Sequence, residues 1–133
     1  MTATIIYTGN LRCTATHIQS GTVIDTDAPT DNRGKGERFS PTDLLCVSLA
    51  TCIVTTIAMK ATDMEINIDN TTFDVTKYMI TDPRRIGKIA VTINFTATVD
   101  DKSKTILERV GHTCPVHRSL HPDVELDIVY NWL

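Results

Sequence analysis

The feature that most constrains this chain is residues 44–59, LLCVSLATCIVTTIAM, a run without a single charged side chain. It follows Ser40-Pro41-Thr42-Asp43. Serine is a favoured N-cap, proline suits the first helical position, and an acid three residues after the serine completes a capping-box pattern. The pattern predicts one helix through residues 40–64, roughly 30 Å long at the usual rise per residue. It is apolar or small around most of its circumference, which calls for burial on nearly all sides. A chain of 133 residues has little else to cover such a helix. Two copies wrapping their helices between their sheets would solve the problem.

The flanking segments read as strands. ATIIYT (3–8) and LRCTATHI (11–18) bracket Gly9-Asn10, and TVIDTD (22–27) follows Ser20-Gly21, a meander with turn residues at its corners. Residues 28–39, APTDNRGKGERF, form a polar loop carrying Arg33 and Arg38. After the helix come TFDVTKYMIT (72–81), the turn DPRR (82–85), and IGKIAVTINFTATV (86–99). In that last segment Ile89, Val91, Ile93, Phe95, Ala97 and Val99 alternate with smaller or polar residues, as in a strand with one buried face. DKSKTILERVGH (101–112) reads as a short amphipathic helix, and VELDIVYNWL (124–133) alternates again. The order βββ-α-ββ-α-β predicts an α+β fold, a mostly antiparallel sheet around a long buried central helix, in one domain spanning 1–133.

Composition narrows the function classes. Hydrophobic residues at 41% and charged residues at 22% are ordinary for a globular domain. A net charge of −3 argues against nucleic acid as a partner, since phosphate contacts want a basic surface. The N-terminal residues lack a secretory pattern and no apolar stretch approaches the length needed to span a bilayer. The expectation is a cytoplasmic protein without membrane attachment. In that reducing compartment Cys13, Cys46, Cys52 and Cys114 are free, metal-bound or catalytic rather than disulfide staples.

Two cysteines stand out. Cys52 lies mid-helix, where the helix terminus gives it no help, and by itself reads as a small core residue, as do Cys13 and Cys46. Cys114 lies in HTCPVHRSL (112–120). If a helical turn starts there, Cys114 is its N-cap and Pro115 its first residue, and the exposed N–H groups would favour a thiolate. His117 and Arg118 add positive character. Judged locally, Cys114 is the better candidate for an activated thiol, with a solvated helix connection as the bland alternative. A metal site is the third reading, from His112, Cys114, His117 and His121 within ten residues. Pro122 and the lack of a second ligand cluster weigh against it.

Taken together, FSPTDLLCVSLATC (39–52), HTCPVHRSLHP (112–122) and the DPRRIGKI turn (82–89) resemble the OsmC/Ohr family of peroxide-reducing proteins. The resemblance covers essentially the whole chain. It implies an intertwined homodimer with two sheets around paired central helices. It also implies that Cys52 is the peroxidatic thiol and Cys114 the resolving one, reversing the local ranking. Organic hydroperoxides are then the substrates, and a lipoyl-type or thioredoxin-type dithiol is the reductant. No metal, flavin or haem is required. Family members use an arginine from the N-terminal half and a glutamate at the helix start to activate the thiol. Arg38 and Arg33 are the candidates for the first. Thr42 occupies the glutamate position, with Asp43 one step away. Two other functions compete with the peroxidase. One is a non-enzymatic dimer holding an apolar small molecule between its helices. The other is a metal-binding protein using the 112–121 cluster.

Overall fold

Ser40 and Asp43 close the start of the central helix as the sequence predicts. In the computed structural model, which describes Met1–Leu133, the Ser40 N–H donates to Asp43 Oδ2 at 2.9 Å. The Asp43 N–H donates back to Ser40 Oγ at 3.0 Å. The reciprocal pair satisfies two N–H groups that a helix start leaves without intrahelical partners. Helix α1 then runs Pro41–Asp63. It ends where Glu65 takes a positive φ of 58° and the Met64 N–H reaches back to Lys60 and Ala61 carbonyls.

The single chain covers α1 only in part, as expected for so short a chain, and one other expectation is corrected. Within a single chain its buried residues form one stripe, Cys46, Leu49, Ala50, Ile53, Ile57 and Ala61, at three- and four-residue spacing. Leu45 and Met59 are 40% and 65% exposed. A three-stranded sheet covers one side of a helix, so burial all round needs further surface. The corrected expectation concerns the bilayer: α1 is long and apolar enough to cross a membrane, with a mean hydropathy of 1.9 over its best 18-residue window. A core helix meets the same criterion, and the buried stripe of α1 joins Ile89, Val91 and Ile93 in the hydrophobic core.

The chain falls into two compact units, Met1–Leu45 and Cys46–Leu133. The first holds β1 (Ala3–Gly9), β2 (Arg12–His17) and β3 (Val23–Asp27), an antiparallel meander in the order β1-β2-β3. Gly9, Asn10 and Leu11 all have positive φ at the first corner, the conformation their turn requires. Arg12 and Asp27 face each other in the β2–β3 register. Their side chains form a two-point pair, Nε to Oδ1 at 2.7 Å and Nη2 to Oδ2 at 2.9 Å. Asp27 is buried and also accepts the Glu37 N–H at 3.1 Å, which ties the 28–39 loop to the sheet.

The Arg12 hydrogen bonds hold the Asp27 carboxyl below its ordinary value of 3.8 against the opposing cost of burial. A depressed carboxylate contributes stability that is present above its unfolded value and is lost as pH falls through its folded one. Asp27→Asn is therefore expected to lower the melting temperature at neutral pH and to flatten the loss seen below about pH 4. Thermal unfolding at pH 7 and pH 3 checks this. A variant melting with the wild type at both values would remove the pair from the account of this unit.

The second unit adds β4 (Thr72–Ile80), β5 (Arg85–Asn94), α2 (Asp101–Gly111), α3 (Pro115–Ser119) and β6 (Glu125–Asn131). The sheet order is β4-β5-β6, antiparallel between β4 and β5 and parallel between β5 and β6. A parallel neighbour needs a long crossover, which α2 and α3 supply. The predicted strand over 86–99 is shorter than expected. The ladder ends at Asn94, and Asp100 caps α2 by accepting the Ser103 N–H at 2.7 Å. Pairing shifts from Tyr78–Lys88 to Met79–Ile86, leaving Gly87 as the extra residue of a bulge. A Cβ on Gly87 would lie 2.5 Å from Ile80 Cγ2. The bulge lets Ile86 point inward along with Ile89, Val91 and Ile93.

Candidate functional site

Cys114 takes the position its sequence predicts. Its φ of −63° and ψ of 144° are extended, Pro115 opens α3, and the His117 N–H donates to Cys114 Sγ at 3.3 Å. Proline at 115 biases the preceding residue away from helical dihedrals, which sets the cap. The thiol is fully buried. Cys52, half-exposed at the border of the α1 stripe, lies near enough to Cys114 to help raise its thiol. Two thiols 62 residues apart in sequence thus come near each other, one on α1 and one at the start of α3, both unbridged.

The electrostatics correct one local expectation. The α3 cap does pull the Cys114 thiol down through the His117 and Val116 N–H groups, but burial pushes it up more strongly and the Cys52 side chain adds to the rise. The net direction is upward, so Cys114 is held as a neutral thiol rather than as the activated thiolate.

Polar and aromatic side chains surround the pair. The His112 ring stands edge-on to His117, with centroids 5.5 Å apart, and its Nε2 lies 3.4 Å from the Tyr130 hydroxyl. Tyr130 is half-buried, and its phenol is pushed up to about 12, mainly by burial and further by Glu108 and Cys114. Trp132 donates to Glu108 Oε1 at 2.8 Å and stacks on Phe95 at 3.8 Å, bracing β6 against α2. Sequence reading weighed His112 only as a metal ligand and passed over Tyr130, whose strand position showed no chemistry.

The metal reading finds no site. No group of three His, Cys, Asp or Glu side chains shares a point that could hold an ion. Helix α3 ends at Ser119, so His121 lies beyond it, exposed and 3.7 Å from Asp123. The remaining candidates lie in the Met1–Leu45 unit. Arg38 is exposed, with Nε 3.9 Å from Asp25 and Nη1 donating to the Glu37 carbonyl. Arg33 is exposed with a φ of 70°. Asp43 is engaged in the α1 cap, and Thr42 Oγ1 lies 3.1 Å from Ser40 Oγ.

A family model described as OsmC-like protein matches residues 34–129, which include both cysteines. The chain belongs to the OsmC/Ohr family. Among solved structures, this OsmC-like chain is 49% identical to a Psychrobacter arcticus 273-4 protein whose name ties it to osmotic stress and detoxification response. The TM-score is 0.95, over 98% of this chain and 96% of that one. An organic hydroperoxide resistance protein OsmC from Legionella pneumophila matches at 16% identity and a TM-score of 0.77, over 98% and 97% of the two chains. The organic hydroperoxide resistance protein OhrB of Bacillus subtilis matches at 18% and 0.72, over 98% of each. The last two likenesses establish the α+β fold. None of the curated proteins compared matches the chain.

Proposed function

We propose that this OsmC-like protein is a cysteine-based peroxidase that reduces organic hydroperoxides. The observation carrying the proposal is the proximity of the Cys52 and Cys114 thiols, near enough for Cys52 to raise the Cys114 thiol. Cys52 is the more accessible of the two, so it meets the peroxide. Its thiolate attacks the distal oxygen, the O–O bond breaks, and the alcohol leaves with a proton. Cys52 becomes a sulfenic acid. The Cys114 sulfur then attacks the Cys52 sulfur, the S–O bond breaks, and water leaves. A dithiol reductant, lipoyl-type or thioredoxin-type, restores both thiols by exchange. The organic hydroperoxide resistance proteins among the structural neighbours favour the same substrate class.

The working unit on this reading is a cytoplasmic homodimer. Its support is apolar surface the single chain leaves open: Ile5, Ile6 and Tyr7 on β1 are each 63% exposed, and Leu45 and Met59 stand open on α1. Light scattering behind size exclusion is expected to give twice the 14.7 kDa of one chain. A monomer at micromolar concentration would contradict the dimer.

The test of function is turnover with dihydrolipoamide or reduced thioredoxin. Cumene hydroperoxide is expected to be consumed catalytically, and faster than hydrogen peroxide. Consumption at the rate of buffer alone with both reductants would overturn the proposal.

A further inference from the structure

Arg12 and Lys35 line one small cavity in the Met1–Leu45 unit. It has a volume of about 140 Å³, and its other walls are Thr8, Gly9 and Asn10 at the first hairpin corner. Every side chain in that lining carries a positive charge or can donate a hydrogen bond, and no carboxylate is among them. Two like charges beside one space repel, and an anion between them relieves the repulsion. We propose that this cavity binds a free tetrahedral oxyanion, phosphate or sulfate. The site does not rest on the cysteine chemistry.

The two cations contribute differently. Arg12 is 30% exposed, and its Nε and Nη2 are fixed on Asp27 at 2.7 and 2.9 Å. Nη1 takes part in neither bond. The pairing holds the guanidinium plane still, so its remaining N–H groups meet a ligand with little cost of ordering. Asp27, Glu37 and Asp25 offset the Arg12 charge, but none of them lines the cavity. Lys35 is exposed and takes part in neither the Arg12–Asp27 nor the Arg38–Asp25 pair. It supplies the net charge of the site, and Arg12 supplies directed donors. The backbone is open as well: a Cβ built on Gly9 would meet no atom within 4 Å. The volume lies below the roughly 300–1,000 Å³ of sites for larger ligands, which favours a small anion over a nucleotide.

The cavity spans two segments. Thr8, Gly9 and Asn10 belong to the β1–β2 corner, and Lys35 to the 28–39 loop. The loop is already tied to the sheet by the Glu37 N–H on Asp27 and by the Asp27 N–H on the Phe39 carbonyl. A bound anion adds a bridge at Lys35 and holds the loop against the hairpin corner.

The test titrates inorganic phosphate into the full chain at constant ionic strength, balanced with sodium chloride, and follows the backbone amide resonances. Saturable shifts with one dissociation constant are expected at both Thr8–Arg12 and Lys35, with none at Lys102, an exposed lysine of α2. Lys35→Ala and Asn10→Asp are each expected to weaken binding about ten-fold or more. The first loses a charge-assisted hydrogen bond, and the second sets a negative charge in the lining. Neither removes the Arg12–Asp27 pair, and aspartate tolerates the left-handed backbone at position 10, where φ is 54°. Lys102→Ala should bind as the wild type does. Shifts that never saturate, shifts confined to one of the two segments, or one affinity shared by wild type, Lys35→Ala and Asn10→Asp would each overturn the site.

Discussion

Cys52→Ser is expected to abolish hydroperoxide consumption, leaving less than about one per cent of wild-type turnover. A serine hydroxyl remains protonated at neutral pH and lacks the polarisable sulfur that attacks a peroxide oxygen. No other thiol can substitute. Cys114 is fully buried and held neutral, and Cys46 is buried within the α1 stripe. Cys13, half-buried on β2, belongs to the other compact unit and pairs with Thr26 and Tyr7 in the ladder. Cys13→Ser is accordingly expected to keep wild-type turnover. A peroxide assay with excess dihydrolipoamide separates the two variants. Substantial turnover by Cys52→Ser would remove Cys52 from its assigned role.

Ile53→Ala is expected to destabilise the chain by about 2–5 kcal/mol, the range for cutting a buried aliphatic side chain back to its Cβ. Ile53 has no exposed surface and sits centrally in the α1 stripe, one turn from Leu49 and from Ile57. It belongs to the core cluster with Ile89, Val91 and Ile93 of β5, which packs too tightly to close over the cavity. A loss of that size should lower the melting temperature by about ten degrees. Thr51→Ala, an exposed change on the opposite side of the same helix, should move it by far less. Equal shifts for the two would mean that the stripe is not what holds α1.

The helix cap, the proline-led α3 and the alternation of β5 were legible because each is written within a few residues. Ser40 and Asp43 are three apart, Cys114 and Pro115 adjacent, and Ile89, Val91 and Ile93 follow a period of two. Other features depend on residues distant in the chain. The Gly87 bulge is set by packing against Ile80 across the hairpin. The Arg12–Asp27 pair needs the β2–β3 register, although opposite charges at facing hairpin ends are a signal that could have found it. The state of Cys114 was misjudged locally because cap geometry is visible in sequence and burial is not. The proximity of Cys52 to Cys114 was inferred from family resemblance alone, since neither spacing nor periodicity relates them. Tyr130 left no mark beyond its place in an alternating strand.

The most direct test of the account is a free-thiol count with disulfide mapping after one equivalent of cumene hydroperoxide, without reductant, on wild type and Cys114→Ser. The expected result is loss of two thiols in the wild type as a Cys52–Cys114 disulfide, with Cys13 and Cys46 intact. Cys114→Ser should stop at a Cys52 sulfenic acid, one oxygen heavier and trapped by dimedone. Four surviving thiols after prolonged exposure would contradict the peroxidase, leaving the OsmC-like fold in place and pointing to a ligand-binding role.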